Sequence, residues 1–441
     1  MLVLKFGGTS VGSVENLKKV AALVATSEPK IVVLSAFSGT TNILVEMAKC
    51  WEKKQDFNFL LYELKQKNKL IVNELFKTDY FLNKANSIND IFIKRIELLL
   101  ISVYSLKAEK ELLAMGELIS TNIFSLFLAE SNVNHKLIDA LDFMRTDKDN
   151  EPDAFYIKQM LNKVLELNPE QNLFVTQGYI CRNYEGEIDN LQRGGSDYSA
   201  TLIGAAINAT EIQIWTDIDG FHNNDPRFVE NTHSISQISF AEAAELAYFG
   251  AKILHPTCVL PAQKAGISVR LKSTIDQNAE GTLISNKSTG SEVKAVAAKD
   301  GIVAIQIRST RMLMAYGFLR RVFEVFEKYK TPIDMITTSE VAVSVTIDNA
   351  QFLNQIIHDL ENFCNVSVFS CQSIVCVVGD LLAEKNGLAF KILESLKNIP
   401  IRMISYGGSS NNISFLIDSQ YKKEALKTLH EHFFSSINNI L

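Results

Sequence analysis

The chain has 441 residues, 47% hydrophobic and 21% charged, a globular composition too long for one ordinary core and pointing to about three domains. Its net charge of −6, with lysines and arginines dispersed, gives no electrostatic footprint for nucleic acid. The longest apolar stretch, around 96–106, is too short to span a bilayer, so no membrane span is expected.

An apolar strand expected over 2–5 runs into Lys5-Phe6-Gly7-Gly8-Thr9-Ser10. With no basic n-region before those glycines, the opening does not read as a signal peptide. Paired glycines between a strand and a helix, here expected over 14–26, let the backbone approach a phosphate while helix amides donate to it. Lys5 reads either as a surface lysine before a turn or as the cation that phosphoryl transfer needs. A second strand, 31–34, leads into Ser35-Ala36-Phe37-Ser38-Gly39-Thr40-Thr41. Ser35 and Thr41 fit equally as ligands of a small substrate at a strand's carboxyl end and as turn-capping hydroxyls. Residues 57–106 read as a mostly helical excursion, a lid or a partner-facing element.

The helix expected over 109–128 carries Glu117 within Met115-Gly116-Glu117-Leu118-Ile119-Ser120-Thr121. A helical glutamate is ordinarily solvated. Apolar neighbours argue for burial here, and a buried carboxylate wants a cation such as a substrate ammonium. After strands at 137–139 and 173–176, Arg193-Gly194-Gly195-Ser196-Asp197-Tyr198-Ser199 introduces a helix over 197–207. Arg193 and Asp197 have the spacing of a helical ion pair, but the glycines between them break the helix. A guanidinium there suits two-pronged capture of a carboxylate, and Asp197 suits orienting a lysine. Neither glycine segment is a P-loop or a dinucleotide fingerprint, so a phosphate site of another design is expected.

Strand 212–216 ends in Trp215-Thr216-Asp217, and the loop beyond it holds His222 and Arg227. Its aspartates lack the order of an EF-hand; the loop fits a nucleotide better, with the arginine on phosphates. Lys252 follows a helix expected over 240–249, at a break marked by Gly250 and Pro256. His222 and His255 have no metal partner at useful spacing, and no protein-held metal is expected. With a further strand at 267–271, continuous apolar strands separated by helices mean a mainly parallel sheet covered on both faces.

A polar linker at 286–291 precedes an internal repeat. Pro332-Ile333-Asp334-Met335-Ile336 corresponds to Pro400-Ile401-Arg402-Met403-Ile404, and each copy sits in a β-α-β-β-α order of elements. The six cysteines form no C-x-x-C pair and suit buried positions in a reducing compartment, with cytoplasm as the expected location.

These segments, with Thr176-Gln177-Gly178-Tyr179-Ile180, Phe249-Gly250-Ala251-Lys252-Ile253-Leu254-His255-Pro256 and Ile336-Thr337-Thr338-Ser339-Glu340, resemble the aspartate kinases of the amino-acid-kinase superfamily over essentially the whole chain. The single-function, lysine-inhibited type is the nearest pattern. The resemblance implies an α/β fold: a mainly parallel, carbamate-kinase-like sheet between helices over 1–288, then two ferredoxin-like ACT units at 292–370 and 371–441, either successive or with the first interleaved with the second. It implies transfer of a phosphoryl group from ATP to L-aspartate, giving 4-phospho-L-aspartate, with Mg2+ held mainly by phosphates and water. Lys5, Gly7, Gly8 and Asp197 would serve the transfer. Ser35, Thr41, Glu117, Arg193 and Ser196 would hold aspartate. Thr216, Asp217, His222, Arg227 and Lys252, with Lys5, Gly7 and Gly8, would hold ATP. An allosteric L-lysine, or threonine, would meet Met312, Phe318, Leu319, Ile333, Asp334, Ser339 and Glu340, and the ACT units would join subunits into a homodimer or larger assembly. Two departures stand out: His222 where tyrosine is common, and Ala315 and Pro332 in place of effector-site serines. A non-catalytic amino-acid sensor and a kinase for another amino acid are the alternatives.

Overall fold

The computed structural model describes residues 1–191, 194–250, 254–287, 290, 293–308, 316–380 and 384–435. Arg193, Lys252, Met312 and Ala315 lie outside the described residues. The chain forms two compact units. One comprises Met1–Phe221, Ser236–Phe240 and Leu254–Lys287; the other comprises His222–Ile235, Ala241–Ile253 and Ser288–Leu441. A single division near residue 288 therefore leaves out two earlier stretches that belong with the carboxyl-terminal unit.

The first unit begins β1 (Leu2–Phe6), α1 (Val14–Val24), β2 (Lys30–Leu34), α2 (Thr40–Glu52), α3 (Asn58–Leu75), α4 (Asp79–Leu100) and α5 (Leu106–Glu130). It continues β3 (Lys136–Leu137), α6 (Ala154–Glu166), β4 (Leu173–Gln177), β5 (Ile180–Arg182), β6 (Ile188–Asn190), α7 (Gly195–Ile207), β7 (Ile212–Thr216) and β8 (Gln237–Ser239). After α8 (Phe240–Tyr248), α9 (Leu260–Ala265), β9 (Val269–Ser273) and β10 (Thr282–Ser285) complete it. Eight strands form one sheet in the order β3-β4-β2-β1-β7-β9-β10-β8, with β5 and β6 paired separately. Every pairing in the large sheet is parallel except β9 with β10.

Every residue of β2 and β4 is buried, as strands covered on both faces require. On α1, Leu17, Val20, Ala21 and Val24 make one apolar stripe, and Ser13 caps its start by accepting from the Asn16 amide. Among the described residues, α5 is long and apolar enough to cross a membrane, contrary to the estimate from 96–106. Burial of 78% of its most apolar window identifies it as a core helix. Its apolar residues surround it because neighbours cover nearly all its faces.

The second unit contains β11 (Ala295–Arg308), α10 (Phe318–Lys328), β12 (Ile336–Thr338), β13 (Ala342–Ile347), α11 (Leu353–Glu361) and β14 (Asn365–Val378). α12 (Leu388–Ser395), β15 (Ile401–Tyr406), β16 (Asn412–Asp418) and α13 (Lys422–Phe434) follow. Its six strands run β12-β13-β11-β14-β16-β15, all antiparallel. The repeat is real, but its copies are interleaved: the strands expected at 303–308 and 373–378 are halves of β11 and β14, which pair with each other along the centre. Val322, Phe326, Ile356 and Leu360 cover one half of the sheet, and Ile392, Leu396, Leu426 and Leu429 the other.

Candidate active site

In the first unit, β1 lies between β2 and β7, and the chain departs from this centre in both directions. Such a switch of strand order opens a crevice at the strands' carboxyl ends. A cleft of about 730 Å³ lies there, lined by Lys5, Gly7, Gly8, Ser35, Thr41, Glu117, Ser196 and Thr216. Eight residues singled out from separate sequence segments thus share one cavity. Phe37, Ser38, Tyr179 and Leu191 also line it; their side chains carried no chemical signal of their own in the sequence.

Lys5, near the end of β1, points its ammonium at Asp197 in the first turn of α7, with Nζ and Oδ1 2.6 Å apart. Both side chains are nearly buried, at 12% and 13% exposure. The aspartate is favourably placed for the helix dipole as well as for the lysine. No side chain caps α7, which leaves first-turn amides for a ligand. Its N-cap, Gly194, has φ +72, and a methyl added there would lie 2.3 Å from Cys258 Sγ. Glycine is required by both conformation and space.

Glu117 is delivered by α5 into the same cleft and is only 3% exposed. Its Oε1 accepts from the Ala36 amide at 3.2 Å, while Oε2 is buried and accepts no hydrogen bond among the described residues. Burial pushes its pKa up from 4.5 to about 8, with the Ala36 amide opposing. A buried acid with an unused oxygen is a receptor for a cation.

Ser196 is held by a close approach from β4's end. A methyl on Gly178 would fall 2.6 Å from both Ser196 Cβ and Oγ. Gly178→Ala is therefore expected to destabilise the protein by about 1–3 kcal/mol, the usual cost of overpacking. A thermal melt checks this, and an unchanged midpoint would show that Ser196 moves freely.

The residues expected on a nucleotide fall in both units. Thr216 ends β7 and donates to Asp217 Oδ1 at 3.1 Å. In the second unit His222 Nδ1 is hydrogen-bonded with the Thr232 hydroxyl at 3.0 Å. Arg227, expected on phosphates, is instead held by its own Asp225, with Nη2 to Oδ2 2.6 Å.

At the expected effector residues, Phe318 belongs to the core against Phe363. Leu319 is exposed, Ile333 half-buried, and Ser339 and Glu340 exposed. Asp334, expected to take a ligand's ammonium, already has neighbours of its own. Its side chain is 1% exposed and 2.9 Å from Lys299 Nζ, and Tyr248 donates to it at 2.6 Å. Lys299 also meets Asp348 at 2.9 Å and lies 4.3 Å from the Tyr248 ring centroid. The chain's own ammonium therefore occupies Asp334 Oδ1, while Oδ2 is buried and accepts no hydrogen bond among the described residues.

Residues 1–273 match the Amino acid kinase family and residues 375–433 an ACT domain. Lysine-sensitive aspartokinase 3 of Escherichia coli (strain K12) is 33% identical, covering 98% of this chain and 99% of that one. Aspartokinase 2, chloroplastic, of Arabidopsis thaliana is 32% identical over 98% of this chain and 84% of that one. The structure of E. coli aspartokinase III in complex with lysine and aspartate (T-state) superposes with a TM-score of 0.85 at 32% identity, covering 98% and 99% of the two chains. The same enzyme in complex with aspartate and ADP (R-state) gives 0.83 at 33% identity, covering 98% and 100%. Full-length likeness in sequence and fold places this chain in the amino acid kinase family, among the aspartokinases.

Proposed function

We propose that the chain phosphorylates the side-chain carboxylate of L-aspartate with ATP, yielding 4-phospho-L-aspartate and ADP. The observation that carries this reading is the cleft itself, where the Lys5–Asp197 pair and the buried Glu117 face one cavity. It is supported by relatives whose structures hold aspartate and ADP. A carboxylate is already ionised at neutral pH and needs no base. One of its oxygens bonds to the γ-phosphorus as the bond to the β,γ-bridging oxygen breaks, and ADP departs with that electron pair. The protein's work is positioning and charge neutralisation. Lys5, aimed by Asp197, would stabilise charge on the transferring group beside Gly7, Gly8 and the α7 amides. Glu117 would take the substrate ammonium and lose its proton as that cation arrives. Ser35, Thr41 and Ser196 would fix the remaining substrate atoms, with Arg193 on a carboxylate.

Thr216, Asp217, His222, Arg227 and Lys252 remain the proposed nucleotide contacts, with Arg227 having to leave Asp225 to reach phosphate. Among the described residues no three carboxylates, imidazoles or thiols stand together. Magnesium would enter with the nucleotide, held by phosphate and water. Assay of ADP formation with L-aspartate against L-glutamate, with hydroxylamine trapping of the acyl phosphate, tests the reading. Equal rates with glutamate would overturn it.

Feedback inhibition by L-lysine, with threonine as the alternative effector, belongs to the same reading. Lysine's ammonium would have to displace Lys299 from Asp334. Lys299→Met is then expected to lower the half-inhibitory lysine concentration about tenfold, equivalent to one ion pair's worth of competition. An unchanged titration would remove Asp334 from the effector site. Exposed apolar residues on α10 and α12 (Leu319, Phe323, Phe390, Leu393) support self-association through the ACT units. Light scattering of the purified protein decides that. All six cysteines are free, in keeping with a cytoplasmic site of action.

A further inference from the structure

Outside the residues assigned above, one charged side chain reaches the rim of the cleft from the helical excursion. Lys67 stands on α3, and its ammonium donates to the backbone carbonyl of Ser38. The same ammonium lies over the next residue: a methyl added to Gly39 would stand 3.3 Å from Lys67 Nζ. Ser38, Gly39, Thr41 and Asn42 all line the cleft.

The turn is closed by the Thr40 amide donating to the Phe37 carbonyl at 2.9 Å, but Lys67 is the side chain that meets its tip. Gly39 is the N-cap of α2 with φ +76, and no side chain caps that helix. Glycine resists such a conformation least and restrains it least. An ammonium on the Ser38 carbonyl makes a charge-assisted bond, stronger than a neutral one. Lys67 is partly buried, and burial lowers its pKa while the Glu63 charge favours the ammonium. A long side chain laid onto the Ser38 carbonyl adds to that main-chain bond a second restraint, on the tip of the turn.

We propose that Lys67 is a positioning residue for the acceptor substrate, holding the Ser38–Gly39 turn so that Thr41 meets the amino acid in a defined place. The inference rests on the reading of the cleft as an aspartate-phosphorylating site, and it gives the α3 helix a part in substrate selection. Lys67 touches neither the substrate nor the reacting atoms in this arrangement; it acts through the turn.

Steady-state kinetics of Lys67→Met and Lys67→Arg test it. Lys67→Met is expected to raise the aspartate KM about tenfold, the scale of one displaced polar contact, with kcat and the ATP KM within about twofold of wild type. Lys67→Arg restores a cation and is expected to bring the aspartate KM back to within about threefold. An unchanged aspartate KM in Lys67→Met overturns the proposal. So does a fall in kcat, with both KM values raised alike and a lowered melting temperature that Lys67→Arg does not restore, since that is the signature of a scaffold role. Lys67→Leu, which likewise removes the donor, gives the same readout if Lys67→Met does not fold. Wild type lacking aspartate-dependent turnover overturns the functional reading and this proposal together, whereas normal turnover with an indifferent Lys67→Met overturns this proposal alone.

Discussion

Lys5→Ala is expected to lower kcat by about 10²–10³-fold while leaving both KM values within about threefold of wild type. The reason lies in where the ammonium is useful. Before transfer, ATP and aspartate have their own contacts, and one cation adds little. As the γ-phosphoryl group moves, charge spreads over its oxygens, and a fixed, largely buried ammonium stabilises it most at that moment. Lys5 is nearly buried and already held 2.6 Å from Asp197, so little reorganisation is needed. Asp197→Asn, which keeps the shape but relaxes the lysine's aim, is expected to cost about tenfold in kcat. Because Lys5→Ala leaves Asp197 without its partner, melting curves accompany the kinetics. A kcat within twofold of wild type, in a protein of normal stability, would make Lys5 a turn residue only.

Glu117→Gln is expected to raise the aspartate KM by about ten- to hundredfold, the worth of one hydrogen bond to a charged group. It is also expected to flatten the pH dependence. In the free protein burial holds Glu117 protonated up to about pH 8. Binding an ammonium requires that proton to leave, so kcat/KM for aspartate should rise with pH through about 8 and level off above it. The glutamine variant should lack this rise. Stability runs the other way. Glu117's folded-state pKa of about 8 stands above its ordinary 4.5, so between those values the folded protein holds a proton that the unfolded chain has lost. Stability then falls as pH rises through that window, and Glu117→Gln should remove that part of the slope. Melting temperatures from pH 5 to 9 for both proteins check the sign, and parallel curves would show that Glu117 is not the group responsible.

The glycine segments were legible early because they solve a backbone problem. Gly194 sits at a positive φ against Cys258, and no other residue type meets both demands. Glu117 was legible for a different reason: apolar neighbours on every side of a helix leave a carboxylate nowhere to be solvated. The Arg227 pairing was not legible: the aspartate two residues away was in view, but only the structure shows the guanidinium resting on it. Lys67 carried no sequence signal, being one of three lysines, with Lys65 and Lys69, on an amphipathic helix. Its partner is a main-chain oxygen 29 residues away in the chain.

From the sequence alone came the alternation of the central parallel strands with helices, the repeat in the carboxyl-terminal third and the glycine-bearing turns. These depend on periodicity and local conformation, which neighbours in the chain decide. Tertiary structure alone decided that the repeats share β11 and β14 in one sheet, because pairing between distant strands is not written in either strand by itself. It alone raised Glu117's pKa and set Lys299 against Asp334, since desolvation and charge pairing arise only when remote segments are packed together.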